Sequence, residues 1–326
     1  MDISIIIPVF NIAPYIGDCL ESVMLQTYTG EMECIIVDDC GIDESIAIAK
    51  QMIAKYQGQI EFKIIPHAYN RGLSAARNTG IMHSKGDFIF YLDGDDLITA
   101  DCIEKLMAVA IKDPAIELVQ GMDMTYPDGA LVTEMELIQA KHPSTNKEVR
   151  KIFFKYSRWR ITAWNKLMKR SFILQHQLLF KEGVLYEDLL WTFYLMKFLS
   201  NVYFVSHITY LYRKRPLSIL SGTDKNTAAV NYEIIYRDLI NNLTLEYENE
   251  EFIYYTRSFA MDYRTFARYN PNLKEIFKLF LRKAWLTHHY GLCLRLSVSF
   301  ILGSKITRSL RKKMFGCKRI VLRIFD

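Results

Sequence analysis

The sequence contains no Gly-x-Gly-x-x-Gly and no Gly-Lys-Ser/Thr loop, so neither a dinucleotide fingerprint nor a P-loop offers a backbone cradle for phosphates. It has no His-Glu-x-x-His, no Gly-x-Ser-x-Gly and no zinc-spaced Cys/His set, which removes those metalloprotease, hydrolase and zinc-site readings. Its six cysteines are scattered without a Cys-x-x-Cys pair, the usage expected of a reduced, cytoplasmic chain. The first residues lack the basic region and long apolar segment of a secretion signal, and no export is expected. No uncharged stretch approaches the roughly 20 apolar residues that a spanning helix needs.

Acids are missing from one region only. Between Phe277 and Phe325 there is no Asp or Glu, but there are 12 Lys or Arg. Residues 1–276 hold 29 bases against 35 acids, so the net +5 of the 326-residue chain belongs to its tail. There, "KITRSLRKKMF" sets Ile306, Leu310 and Met314 on one helical stripe and Lys305, Arg308, Arg311 and Lys312 on others. Such a basic amphipathic segment (residues 304–326) suits an anionic membrane surface; nucleic acid or plain solvation are the alternatives.

What is present is an ordinary globular composition, 50% hydrophobic and 24% charged, long enough for about two domains. "SIIIPVF" (4–10), "CIIVDD" (34–39), "FKIIP" (62–66) and "FIFYLD" (88–93) are apolar runs rich in Ile, Val and aromatics, the pattern of buried parallel strands. Helix-length segments separate them: Pro14 to Gln26, Glu44 to Tyr56, Ser74 to His83, with Ala100 to Ile111 after the last. This alternation predicts a mostly parallel sheet with helices on both faces and a ligand site at the carboxyl ends of the strands. Those ends carry Asn11, Asp38 with Asp39, and Asp93 with Asp95 and Asp96.

In "FYLDGDDLI" three carboxylates crowd into four positions after an apolar run. A hairpin fits poorly, because two further acids follow Gly94 where a returning strand would alternate. Adjacent carboxylates repel unless something compensates them, which points to a hard divalent ion; a solvated acidic turn is the other reading. A hard cation with few protein ligands usually serves a phosphate or diphosphate.

Seven segments occur in order: "IIIPVFN", "IIVDD" followed by Asp43, "NRGLSAARNTGI", "FIFYLDGDD", "AWNKLMKRSFI", "LYEDLLW" and "YLYRKRPLSI". Together, over residues 3–221, they resemble the family 2 glycosyltransferases of bacterial polysaccharide type. The resemblance implies a GT-A fold in residues 1–221, and residues 222–326 read as a helical C-terminal region: 228–247, 252–269 and 273–290. It implies an inverting transfer from a nucleotide-sugar donor, a UDP-sugar first, with Mn2+ or Mg2+, to a glycan or lipid-linked sugar acceptor. Assembly of cell-surface polysaccharide or glycolipid on the cytoplasmic face of the membrane, with no nucleic acid partner, is the corresponding setting.

Residue by residue, the resemblance assigns Asp95 and Asp93 to the metal, with Asp93 nearer the ribose and Asp96 in support. Asp39 would read the base beside a wall of Pro8 and Phe10, although "DDCG" stands where the family has "DDGS". Arg77 would contact the nucleotide, with Asn70 and Gly72 shaping its loop. Asp188 would be the general base, with Glu187 as the alternative, and Trp164 and Asn165 the acceptor-side floor. A loop after a short strand at 202–205 would bring Arg213, Arg215 and Ser218 to the diphosphate. Two other classes remain open: a nucleotidyltransferase, which should show a glycine-rich basic loop after Pro8, and a non-catalytic binding module.

Overall fold

The computed structural model describes residues 2–127, 142–155, 159–215, 222–243 and 249–289. The chain divides into two units, Met1–Ser218 and Ile219–Asp326.

In the first unit, β1 (Ile3–Val9), α1 (Ala13–Met24), β2 (Met32–Asp38), α2 (Ser45–Lys55), β3 (Glu61–Pro66), α3 (Leu73–His83) and β4 (Phe88–Tyr91) realise the expected alternation. The short β5 (Leu97–Ile98) and α4 (Cys102–Ala110) follow. Then come β6 (Leu118–Tyr126), α5 (Asn146–Arg150), a π-helical turn (Lys151–Lys155), β7 (Lys166–Lys169), α6 (Arg170–Gln175), α7 (Glu187–Phe198) and β8 (Val202–Arg213). Among the described residues eight strands form one sheet in the order β3-β2-β1-β4-β7-β6-β8-β5. The β3-β2-β1-β4 half is wholly parallel; β7 joins β4 and β6 antiparallel, β6 pairs β8 parallel, and β5 is antiparallel to β8.

Every residue of β1 is buried, which explains why it reads as an unbroken apolar run rather than an alternation. Ile3, Ile5, Ile7 and Val9 pack with the buried faces of α1, α2 and α4. On the other face Ile35 and Val37 of β2 meet Ala76 of α3.

One boundary differs from expectation in a way that matters. The strand expected over 202–205 runs on to Arg213, pairing β6 across a bulge near Gln120–Asp123. Tyr210, Tyr212 and Arg213 therefore lie on a strand, and Tyr210 is fully buried. The aromatic and β-branched run "VYFVSHITYLYR" favours this extension once β6 offers a ladder.

The second unit contains α8 (Lys225–Asn242), α9 (Asn249–Phe266) and α10 (Leu273–Leu286), shifted by up to five residues from the segments expected. The α8 start moves forward because Asp224 caps it, accepting from the amides of Asn226 and Thr227. Its core is aromatic, with Phe259 stacked on Phe280 at 4.7 Å and Tyr236 edge-on to Phe259 at 5.0 Å. Among the described residues no helix is long and apolar enough to cross a membrane. Residues 304–326 lie outside the described residues, as does Ser218.

Candidate active site

The carboxyl ends of β1, β2 and β4 bring the first group of expected residues together. Pro8 is buried in β1, Phe10 just beyond it is 46% exposed, and Asn11 takes a left-handed φ of 51°. The Asn11 side-chain oxygen accepts from the Ile42 amide at 2.8 Å and so fixes the turn after β2. Asp43 completes that turn: its carboxylate accepts from the Ala13 and Ser45 amides and from the Ser45 hydroxyl. Against the upward push of burial, these hydrogen bonds hold its pKa below the usual carboxylate range.

Asp39 is 2% exposed and accepts from the amides of Arg71 and Gly72, both at 2.8 Å, and from His67 Nδ1 at 2.7 Å. His67 Nε2 in turn meets the Thr79 hydroxyl at 2.8 Å. Asp39 thus orders the loop into α3, which Gly72 enters at φ 87°, a left-handed angle that glycine adopts without strain. Three of about four carboxylate lone-pair sites are occupied, leaving acceptor capacity for one further donor.

Arg77 was expected against the nucleotide; the structure buries it at 1% exposure among carboxylates. One terminal nitrogen donates to Glu187 at 2.5 Å and to Asp188 at 3.2 Å, and the other donates to Asp93 at 2.7 Å. Phe180 lies against the guanidinium, 5.2 Å from its ring centroid. The Asn78 side chain clasps the Phe180 backbone from both sides at 2.8 Å and holds that aromatic in place. Arg77 therefore joins the β4 turn to the start of α7. Both terminal nitrogens are engaged by carboxylates, one by two of them and the other by one.

Within the β4 turn Asp93 and Asp95 keep part of their side chains exposed, 24% and 21%, whereas Asp96 is buried. Gly94 sits where a Cβ would lie 2.4 Å from the Ile12 Cδ1 and 3.0 Å from the Pro8 carbonyl, so glycine lets the turn pack closely onto the end of β1 and a larger residue would require Ile12 to shift. Asp95 pairs with Arg215 Nε, and Asp96 accepts from the Tyr210 hydroxyl and the Arg213 amide, both at 2.7 Å. Burial, then Asp93, raises the Asp95 pKa; burial, then Asp95 and Asp93, raises that of Asp96 further.

These carboxylates fit a divalent ion in kind: two partly exposed carboxylates suit Mg2+ or Mn2+ when a substrate phosphate supplies the rest. Among the described residues, however, no group of three or more His, Cys, Asp or Glu gathers to hold a metal.

Glu187 is buried, while the Asp188 side chain is 21% exposed. Both open α7 directly after Tyr186, whose φ of 62° is unusual for so bulky a residue and turns the chain into the helix. Burial pushes the Asp188 pKa up to about 7; Arg77 opposes the rise, and Glu187 and Asp93 add to it.

The expected acceptor floor is placed differently. Trp164 is 5% exposed and stacks on Tyr210 at 4.4 Å and on Tyr212 at 5.8 Å, as a core residue does. Asn165 is completely buried at φ 59°; its amide donates to the Gly121 and Met122 carbonyls and accepts from Thr209, tying down the bulge in β6. Both side-chain N–H donors of Asn165 are thus taken by backbone carbonyls. Arg213 donates to Asp18 at 2.7 Å and lies over Tyr15 and Tyr126, and Arg215 lies 5.5 Å from the Tyr15 centroid.

Sequence reasoning passed over His67, Tyr210 and Lys166. Lys166 is fully buried with its ammonium on the Arg160 and Thr162 carbonyls, and burial pushes its pKa down to about 7, with Asp188 and Asp123 opposing. Lys166 and Tyr210 stood inside quoted motifs, but only the fold shows that they turn inward.

An α/β unit with paired carboxylates at the end of a parallel half-sheet defines the class. The family model for Glycosyl transferase family 2 matches residues 4–175, more than half of the chain. The chain belongs to this family. EpsH of Bacillus subtilis is 33% identical over 226 residues, 68% of this chain and 64% of that protein. A cholesterol galactosyltransferase of Borreliella burgdorferi is 28% identical over 229 residues, 68% of this chain and 62% of that one. The matches thus span a little under two thirds of these relatives' lengths. In fold, the chain resembles S. aureus TarS residues 1–349 in complex with UDP-GlcNAc, with TM-score 0.62 and 17% identity over 91% of this chain and 89% of that one. It also resembles a mannosyltransferase of Pyrobaculum calidifontis in complex with GDP-Man and Mn2+, with TM-score 0.54 and 13% identity over 99% and 82%.

Proposed function

We propose that this glycosyltransferase moves a sugar from a UDP-sugar to a hydroxyl of a glycan or lipid-linked acceptor, with inversion, assisted by a divalent cation at Asp93 and Asp95. The observation that carries the reading is the Arg77 bridge, which couples Asp93 on the donor-side turn to Asp188 at the start of α7. The uridine ligands of TarS support the donor class, and the Mn2+ of the archaeal mannosyltransferase supports the cation.

Asp39 would accept the imino N–H of a uracil with its remaining acceptor capacity, its other positions being occupied by two backbone amides and His67. Phe10, exposed beside it, can pack on the base. A cation bound at Asp93 and Asp95 supplies neutralisation of the charge that grows on the diphosphate leaving group. Asp188 takes the proton of the acceptor hydroxyl as that oxygen attacks the anomeric carbon. Its partial exposure lets an acceptor reach it, whereas Glu187, buried and donated to at 2.5 Å by Arg77, holds the guanidinium. In this reading Arg77 acts as a positioning residue that joins Asp93 to Glu187 and Asp188.

Residues 304–326 would hold the enzyme at an anionic cytoplasmic membrane surface, supported by the acid-free run of 12 bases between Phe277 and Phe325. Calorimetric titration of UDP with Mn2+ into wild type and Asp95→Asn tests the donor reading. Metal-dependent UDP binding lost in a folded Asp95→Asn variant supports it, and UDP affinity indifferent to both metal and variant removes it.

A further inference from the structure

The carboxylates of the β4 turn differ in how firmly each is countered. Asp93 is held by Arg77, which is 1% exposed and shared with Glu187 and Asp188. That guanidinium cannot leave without stranding a buried Glu187 charge. Asp96 is buried under the Tyr210 hydroxyl and the Arg213 amide, both neutral donors fixed on β8. Asp95 is different. Its counter-charge is Arg215, two residues past the end of β8, with 19% of its side chain exposed. Arg213 does not share this duty, because its guanidinium turns to Asp18.

We propose that Arg215 is a displaceable counter-cation of Asp95 that couples metal binding to donor binding. A divalent ion that takes Asp95 Oδ2 displaces the guanidinium from that oxygen, since two cations on one carboxylate oxygen repel at contact distance. Moving Arg215 breaks its ion pair with Asp95, and that cost weakens metal binding to the empty enzyme. When a nucleoside diphosphate arrives, its phosphate oxygens offer the guanidinium a paired acceptor. Metal and nucleotide then favour one another through a single side chain, and the coupling is reciprocal. The nucleotide half of this proposal rests on the donor reading above; the displacement of Arg215 by a cation does not.

The test counts free Mn2+ by electron paramagnetic resonance during titration of the full chain, with and without UDP, in wild type and Arg215→Gln. Thermal melts by circular dichroism check that both are folded. Arg215→Gln should bind Mn2+ alone about 5- to 150-fold more tightly, and the enhancement that UDP gives to Mn2+ binding should shrink by a similar factor. A folded Arg215→Gln protein with unchanged affinity for Mn2+ alone overturns the proposal, as does failure of both proteins to bind Mn2+. If Arg215→Gln tightens Mn2+ while UDP affects neither protein, the counter-cation stands and the uridine-donor reading falls.

Discussion

Arg77 donates to Asp188 at 3.2 Å from a position 1% exposed, and the same guanidinium grips Asp93 at 2.7 Å. The candidate base and the candidate metal-side carboxylate therefore share one cation, although they stand 95 positions apart in the chain.

Loss of that cation should be costly in two ways. Arg77→Met leaves Glu187 buried and unpaired, and it should destabilise the fold by about 3–5 kcal/mol in urea titrations. The conservative Arg77→Lys keeps the charge but not the fork, and should lose less stability. A folded Arg77→Met protein as stable as wild type would contradict the bridging role.

Asp188 should govern the pH profile. With burial pushing its pKa up to about 7, kcat/KM should rise with pH through an acid limb near that value, where the base becomes ionised. Lys166, also near 7, titrates with it, so the limb belongs to the pair. The same shift has a sign for stability: the folded state holds this proton where the unfolded chain, near about 3.9, has released it. Its contribution to stability should therefore fall as pH rises from about 4 to about 7 and stay level above. Asp188→Asn should keep UDP affinity and lose about 10²- to 10⁴-fold in transfer. Native-rate transfer by Asp188→Asn, with loss in Glu187→Gln, would move the base by one residue.

Asp39 should serve the loop and the base together. Asp39→Asn puts a donor where two amides and a uracil need an acceptor. Hydrogen exchange at the Arg71 and Gly72 amides should quicken and UDP affinity should drop about tenfold, the equivalent of one hydrogen bond lost to a charged group. Unchanged exchange would free Asp39 from the loop.

Much of the fold was legible because buried parallel strands write themselves as apolar runs. "SIIIPVF" announced β1 within one residue at each end, and the carboxylates at the strand ends marked the edge that gathers the candidate site. Burial of polar residues was not legible. Arg77, Asn165 and Lys166 look like surface groups in the sequence, yet each is inside because a tertiary partner accepts its donors: Asp93 and Glu187, the Gly121 carbonyl, and the Thr162 carbonyl. Trp164 illustrates the same gap, since its stacking partners Tyr210 and Tyr212 are brought to it by a strand that the sequence suggested would end at residue 205.

The basic tail makes its own forecast. Removing residues 304–326 should release the protein from anionic vesicles, each basic residue near the surface contributing about 1 kcal/mol. Co-sedimentation at low salt and near 1 M, where the Debye length is about 3 Å, separates charge from insertion of the apolar stripe. Full-length protein left in the supernatant at low salt would exclude a membrane role for the tail.

The central claim is tested most directly by incubating the protein with a set of nucleotide sugars, with Mn2+ or with EDTA, and measuring released nucleoside diphosphate. The account predicts release from a UDP-sugar that requires the metal and is abolished in folded Asp95→Asn. Release undiminished by EDTA, or no release from any nucleotide sugar, would contradict it.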